Sequence, residues 1–286
     1  MREGSPIDVS MELLHSVSTL SPLPKSLAPQ HKRQLAPYFS IVVPNFDFPR
    51  DQPMSLDFDS ARLPNPNIRE EHIAWRTQLR KFIDAEIIPH AQDWDEAGHI
   101  PIELWPKAAA VGLLGLGYPE EYGGIREGID SWHSWIANEE LARIGVGGIP
   151  ASLMVHGIGL PPVLNWGSQE MKDRIAPPVL AGEKHIALGI TEPGGGSDVA
   201  QLTTTAVRDG DHYIVNGSKT YITGGMRANW VSTAVRTGGE GGKGVSMLLI
   251  PTDAKGFTRT QLDKKQGWWA SNGFHKLFIC NSLNIH

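Results

Sequence analysis

Gly194, Gly195 and Gly196 stand in a row after a strand-like run, Leu188-Gly189-Ile190-Thr191, and the pair Glu192-Pro193. Ser197 and Asp198 follow at once. Glycine loses more conformational entropy on folding than any other residue and contributes no packing, so three together require a reason. A ligand supplies one. Without Cβ atoms the backbone can take positive φ, and a bound group can come close to the N–H donors. With the amide and hydroxyl of Ser197 beside them, the fitting ligand class is a phosphate or pyrophosphate; a merely flexible loop is the competing reading. The run GLLGLG at 112–117 is rejected as a dinucleotide fingerprint, because it ends a predicted helix instead of linking a strand to one.

A second constellation lies about thirty residues on, at Tyr221-Ile222-Thr223 before Gly224-Gly225. Strand alternation would put Tyr221 and Thr223 on one face and Ile222 on the other. An aromatic beside a hydroxyl can stack on a flat ring and hydrogen-bond its edge, although for one aromatic alone an exposed barrel tyrosine is the better reading. Other groups read blandly. The eleven histidines are scattered, with no i, i+4 pair beside a third ligand, so no metal site is predicted. Glu139 and Glu140 read as solvated or capping helix charges, and Asn216-Gly217-Ser218 reads as a turn.

The elements that must position these loops divide into two halves. Trp75, Leu79, Phe82, Ile83 and Ile87 form one apolar stripe of a long helix that begins near Ile68 and stops or kinks at Pro89. Further helices are predicted over Pro101–Leu114, Ile129–Ile144, Ala151–Trp166 and Ser168–Leu180, the last capped by Ser168. Trp94, Trp105, Trp132, Trp135 and Trp166 fall in or at the ends of these helices and read as core or interface. From Lys184 the period changes to short β-branched runs punctuated by Asp-Gly, Asn-Gly and Gly-Gly, of which Arg208–Thr223 is the clearest hairpin. The fold class is therefore α+β: an N-terminal α-helical domain followed by a small antiparallel β-barrel or sandwich domain.

Net charge is −5, which leaves no electrostatic footprint for nucleic acid. The one cysteine, Cys280, excludes a disulfide framework, and no apolar run is long enough for a membrane span. These features predict a soluble intracellular protein. Residues 1–66 read as a disordered or poorly structured extension, in which Met54 is a candidate start. A cleaved targeting peptide is the alternative, although Glu3, Asp8 and Glu12 spoil its acid-poor signature.

ITEPGGGSD at 190–198 is similar to the signature of the acyl-CoA dehydrogenase family, and YITGG at 221–225 resembles its second flavin motif. GLLGLGYPEEYGG, NEELARIG and the helix-then-strand order fit the same family, and the likeness runs from about Asn67 to Ser271. The resemblance implies a helical domain at 67–182 and a middle β-domain at 183–271, with a divergent tail at 272–286. It implies FAD as cofactor. Leu188, Gly189, Ile190, Thr191, Gly194, Gly195, Gly196 and Ser197 would line the flavin and its pyrophosphate, with Thr191 at the isoalloxazine edge. Ser197 would also meet the acyl-CoA substrate. Tyr221, Ile222 and Thr223 would cover the flavin ring, with Tyr221 where the family more often has Trp.

The implied reaction is α,β-dehydrogenation of an acyl-CoA thioester: a carboxylate removes the α-proton while the β-hydrogen leaves as hydride to the flavin. Hydrogen bonds polarise the thioester carbonyl, and burial raises the pKa of the base. In the family that glutamate comes from a C-terminal helical domain, and the resemblance stops at Ser271. No catalytic residue is therefore assigned, and the chain by itself is expected not to turn over and to expose apolar surface. The tail reads either as a last strand, with Leu277 and Ile279 alternating, or as out-of-frame sequence. A non-catalytic FAD- or acyl-CoA-binding module and an acyl-CoA oxidase or flavin monooxygenase-like relative are the alternative readings. The resemblance further implies an electron-accepting flavoprotein partner and a homo-oligomer, and the intracellular composition is read as a cytoplasmic or mitochondrial location.

Overall fold

The computed structural model describes residues 56–261, 265–271, 274–279 and 283–284. The expectations for residues 1–53 and Cys280 lie outside the described residues.

Helix α1 (Glu70–Glu86) follows from the apolar stripe: Leu79, Phe82 and Ile83 are buried on one face, and Ile87 closes its end. Pro89 sits in the 3-10 turn Ile88–His90 that immediately follows, where its missing N–H costs little. Helices α2 (Ala91–Ala97), α3 (Leu104–Ala110) and α4 (Ser131–Ala142) complete the first layer. The predicted helix over Pro101–Leu114 is shorter than expected, ending just before Gly112, which takes φ +82°.

The predicted helix over Ala151–Trp166 is broken into α5 (Gly148–Leu153), α6 (His156–Gly159) and α7 (Pro161–Trp166). Packing against the sheet is the reason. A Cβ on Gly159 would lie 3.1 Å from the backbone of Ala187, so α6 approaches strand β1 closely, and Pro161 then starts a fresh helix. Helix α8 (Gln169–Leu180) is capped as the sequence predicts, with Ser168 Oγ accepting from Met171 N at 3.2 Å.

The sheet begins with β1 (Ile186–Gly189) and the hairpin β2 (Thr205–Asp209) and β3 (His212–Lys219). It continues with β4 (Trp230–Arg236), β5 (Val245–Pro251), β6 (Phe257–Gln261), β7 (Phe274–Ile279) and β8 (Leu283–Asn284). Its order is β1-β4-β2-β3-β7-β6, with β5 on β4 and β8 on β3. The helix-then-strand division is as predicted, but the sheet is not purely antiparallel. β1 runs parallel to β4, pairing Ile186 with Trp230 and Gly189 with Thr233, and β2 meets β4 in parallel at Thr205 and Arg236. Nor do its ends, β1 and β6, pair among the described strands, so the sheet is open instead of a barrel. The hairpin turns at Gly210, φ +62°, as the Asp-Gly signal predicts. Asn216-Gly217-Ser218, expected to be a turn, lies within β3. Gly217 is required there by close approach, since a Cβ would sit 2.4 Å from Thr204 Oγ1. In the tail, β7 realises the strand reading of Leu277 and Ile279.

Three apolar clusters hold the layers. One lies within the helices around Leu79, Ile83, Ile100, Leu113 and Ile149, and a second within the sheet around Ala187, Val215, Val231 and Ile250. The third joins Leu160, Val163, Ile175 and Val179 of the helices to Ile186 and Leu249 of the sheet. Trp105 is buried as expected, whereas Trp135 and Trp166, read as core or interface, stand 63% and 78% exposed. Among the described residues, no helix is long and apolar enough to cross a membrane.

Candidate cofactor site

The triple-glycine loop leaves β1 as a tight turn. Glu192 N donates to Gly195 O at 2.9 Å, and Gly195 N returns to Glu192 O at 3.1 Å. None of the three takes the positive φ that glycine permits. Their use is space. Cβ atoms on Gly194 or Gly195 would meet nothing within 4 Å, while one on Gly196 would press on Thr191 Cγ2 at 3.0 Å. Among the described residues, the amides of Gly194, Gly196 and Ser197 donate to no main-chain carbonyl. Gly194, Gly195 and Ser197 are exposed. Unspent donors on an open, side-chain-free backbone suit an anionic group.

Tyr221 was expected on a strand. Instead β3 ends at Lys219, and Tyr221 itself takes the left-handed conformation, φ +57°, that the glycines do not use. A bulky residue there is an outlier held by its surroundings. Thr220 and Ile222 on either side are 3% and 2% exposed, whereas Tyr221 is 64% exposed. The expected shared face of Tyr221 and Thr223 therefore does not arise from strand alternation; two buried anchors turn the tyrosine outward.

The two motifs meet. Thr220 N donates to Thr191 O at 2.8 Å, and Lys219 Nζ donates to Ile190 O at 2.9 Å. Thus Ile190 and Thr191 of the first motif are tied to the residues preceding Tyr221, Ile222 and Thr223 of the second. Leu188 is half-buried on β1, and Gly189 is buried where a Cβ would lie 3.0 Å from Val231 Cγ1. The WWAS segment reaches the same region: Gly224 N donates to Ser271 O at 2.9 Å, and Ala270 N donates to Asp95 Oδ1 of α2 at 2.9 Å.

Sequence reasoning missed what holds these loops. Lys219 is fully buried, and its ammonium donates to Glu192 Oε1 at 2.8 Å. Glu192 also accepts from Thr204 N at 2.9 Å, and from Thr203 N and Oγ1 at 2.6 and 2.7 Å. Burial opposes ionisation of Glu192, but the Lys219, Thr204 and Thr203 donors outweigh it and hold the carboxyl at about 2. Burial draws the Lys219 ammonium down from its ordinary value, against the pull of Glu192. A signal was present in the alternation: Lys219 lies four residues after the buried Val215 on the same strand face, so its head group must point inward.

Two readings of charged groups need correction. Glu140 is not solvated; it is fully buried and lies within 4 Å of Arg62, Arg76, Arg80 and Arg143. The histidines are not all scattered either. The ligand atoms of His72, His133 and Asp130 lie within 4.8 Å of one another. Those atoms are occupied by two helix caps. Asp130 Oδ1 accepts from Trp132 N at 3.0 Å and lies 3.0 Å from both His72 Nε2 and His133 Nδ1, His133 Nδ1 accepts from Asp130 N at 3.2 Å, and Oδ2 accepts from Arg69 Nη2 at 2.9 Å. A guanidinium beside the carboxylate disfavours a cation there.

Comparison with known proteins agrees with this architecture. The family described as acyl-CoA dehydrogenase, N-terminal domain, matches residues 69–183, and acyl-CoA dehydrogenase, middle domain, matches residues 187–279. The mitochondrial long-chain specific acyl-CoA dehydrogenase of Sus scrofa is 38% identical over 192 residues, 66% of this chain and 44% of that protein. The structure of an acyl-CoA dehydrogenase from Geobacillus kaustophilus superposes with a TM-score of 0.71 at 36% identity, covering 77% of this chain and 58% of that one. A glutaryl-CoA dehydrogenase from Mycobacterium smegmatis, in complex with FADH2, gives a TM-score of 0.68 at 29% identity, covering 79% and 56%. The chain spans about half the length of the curated relatives it matches. With both halves matched in the order the fold presents them, the chain belongs to the acyl-CoA dehydrogenase family.

Proposed function

We propose that residues 67–182 and 183–271 are the helical and middle domains of an FAD-dependent oxidoreductase that dehydrogenates an acyl-CoA thioester between its α and β carbons. Leu188–Thr191 and Gly194–Ser197 would hold the flavin and its pyrophosphate, with Ser197 also meeting the acyl-CoA. Tyr221, Ile222 and Thr223 would face the ring system. Bound there, FAD would supply the acceptor for the β-hydrogen and its electron pair, while a base takes the α-proton.

The observation that carries this reading is the joining of the two loops by the Thr220–Thr191 and Lys219–Ile190 hydrogen bonds, beside the amides of the exposed Gly194 and Ser197, which have no main-chain partner among the described residues. Those amides would stabilise the diphosphate by hydrogen bonding without desolvating a side-chain charge. Glu192 is no candidate base, since Lys219 and three threonine donors already occupy its oxygens. We assign the base to neither of these two domains but, as the family resemblance implies, to a C-terminal helical domain. The electron acceptor would be a second flavoprotein, the assembly a homo-oligomer, and the compartment cytoplasmic or mitochondrial.

Purification of the 286-residue chain with added FAD, followed by titration with acyl-CoAs of graded length, tests the reading. Flavin absorbance that co-purifies and does not bleach matches a site whose base lies elsewhere. Bleaching would put the base within the chain, and failure to hold any flavin would overturn the cofactor assignment.

A further inference from the structure

The buried charge pair beneath the two loops has a geometry that packing alone does not require. Burying an ammonium and a carboxylate costs desolvation that their attraction offsets only when every remaining lone pair and proton is matched, and apolar residues of similar volume often serve stability equally well. Here the matching is thorough on the acid: Glu192 accepts from Lys219, Thr204 and twice from Thr203. These contacts connect distant points of the chain. Glu192 opens the glycine loop and Thr203–Thr204 close it, so one carboxylate ties the two ends of that loop together. Lys219, at the end of β3, then fastens this closed loop to the second motif through Glu192 Oε1 and Ile190 O.

The next rung is Thr220 N to Thr191 O, and directly after it Tyr221 takes φ +57°. A left-handed tyrosine lies above its relaxed energy, so it persists only where its neighbours determine it. Its neighbours are Thr220 and Ile222, both buried, and Thr220 is registered by the residue before it, Lys219.

We propose that Lys219 and Glu192 are a positioning pair: together they hold the glycine loop in register with the end of β3 and thereby set the outward, left-handed placement of Tyr221 for contact with the cofactor. This rests on the flavin reading given above for its ligand, but not for the structural coupling itself. Both side chains are buried beneath the loops, so neither is placed to touch substrate. Their role is to keep the open amides and the tyrosine ring in fixed relation before any ligand arrives, so that binding does not have to order them.

The test compares the full chain with the charge-free double variant Lys219→Met/Glu192→Gln and with Val215→Ala, a core truncation on the same strand that leaves both loops intact. Two readouts are taken on folded protein, well below each unfolding midpoint. Amide hydrogen exchange over residues 191–204 and 220–224 is measured without cofactor, and FAD affinity is measured by flavin absorbance and fluorescence. The double variant should exchange faster in both segments and bind FAD roughly tenfold or more weakly, the scale of losing one charge-assisted hydrogen bond. Its bound flavin should also be less quenched, because the tyrosine ring is no longer held against it. Val215→Ala should lose thermal stability without moving either readout. If the double variant folds with unchanged exchange and FAD affinity within about twofold of the parent, the proposal is overturned. Should it not fold, Thr203→Val, which removes one exposed donor to Glu192, should show the same two changes at smaller size; no change in either sinks the idea. A parent chain that takes up no FAD would defeat the flavin reading alone, because the exchange arm still decides whether the pair couples the loops.

Discussion

Arg80 grips Glu140 with both arms of its guanidinium, Nη2 to Oε1 at 2.8 Å and Nε to Oε2 at 3.0 Å, joining α1 to α4. The carboxylate is fully buried, and Arg143 approaches its other side at 3.3 Å. Arg80 also reaches Asp59, at 2.5 Å, so the turn ahead of α1 is fastened by the same side chain.

Removing the acid should therefore be costly. Glu140→Ala opens a cavity and removes a counter-charge shared by arginines that keep Asp59, Glu139 and Asp84 as partners, so a loss of about 3 kcal/mol is expected, the low end of the range for breaking a buried ion pair from one side. Thermal or urea unfolding measures it. Glu139→Ala, on the part-exposed neighbour, should cost well under half as much.

Acid sensitivity should begin early. His156 is 5% exposed with Nε2 on Leu114 O at 3.0 Å, and burial pushes it down to about 4; His185, 7% exposed, is also held near 4 by burial and then by Arg227 and Lys184. A depressed imidazole binds fewer protons folded than unfolded. Its contribution is complete above the ordinary value of 6.5 and is lost as pH falls toward 4. For His156 this amounts to on the order of 3 kcal/mol. Glu192, displaced from 4.5 to about 2, adds a second loss at lower pH. The unfolding midpoint should be level above about pH 7 and fall from there downward, and His156→Gln should flatten the first part of that fall.

Gly194 and Gly182 should answer to alanine in opposite ways. Gly194→Ala meets open space at a φ that alanine tolerates, so stability should hold or rise by about 0.4–1 kcal/mol while the added methyl weakens FAD binding. Gly182→Ala would place its methyl 2.5 Å from the Trp105 backbone at φ +74°, and should destabilise by about 2 kcal/mol or more. Paired melts and flavin titrations separate the two effects.

Tyr221→Gly should raise stability by about 1 kcal/mol by relieving the left-handed strain, because the exposed ring contributes little packing. The same variant should bind flavin less tightly and leave its fluorescence brighter. A fall in stability would mean that the ring is more firmly packed than its exposure indicates.

Local patterns were enough for much of the frame. The i, i+4, i+7 stripe from Trp75 to Ile87 specifies α1 because a helix must bury one face, Ser168 caps α8 with its own hydroxyl, and Asp209-Gly210 makes the hairpin turn. The two glycine-bearing motifs were legible as well, since they depend on short runs of residue types.

What the fold alone decided involves partners far apart in the chain. Parallel pairing of β1 with β4 joins segments more than forty residues apart, and strand composition does not encode which neighbour a strand chooses. Glu192 and Glu140 look like ordinary surface acids until Lys219 and the arginines of α1 arrive from 27 and 60 residues away. Tyr221 reads as a strand residue because β propensity is local, whereas its left-handed turn is imposed by Thr220 and Ile222 being buried on both sides. Residue type sets which groups can bond; only the folded chain sets how much water they lose, and that loss determines which charges become structural.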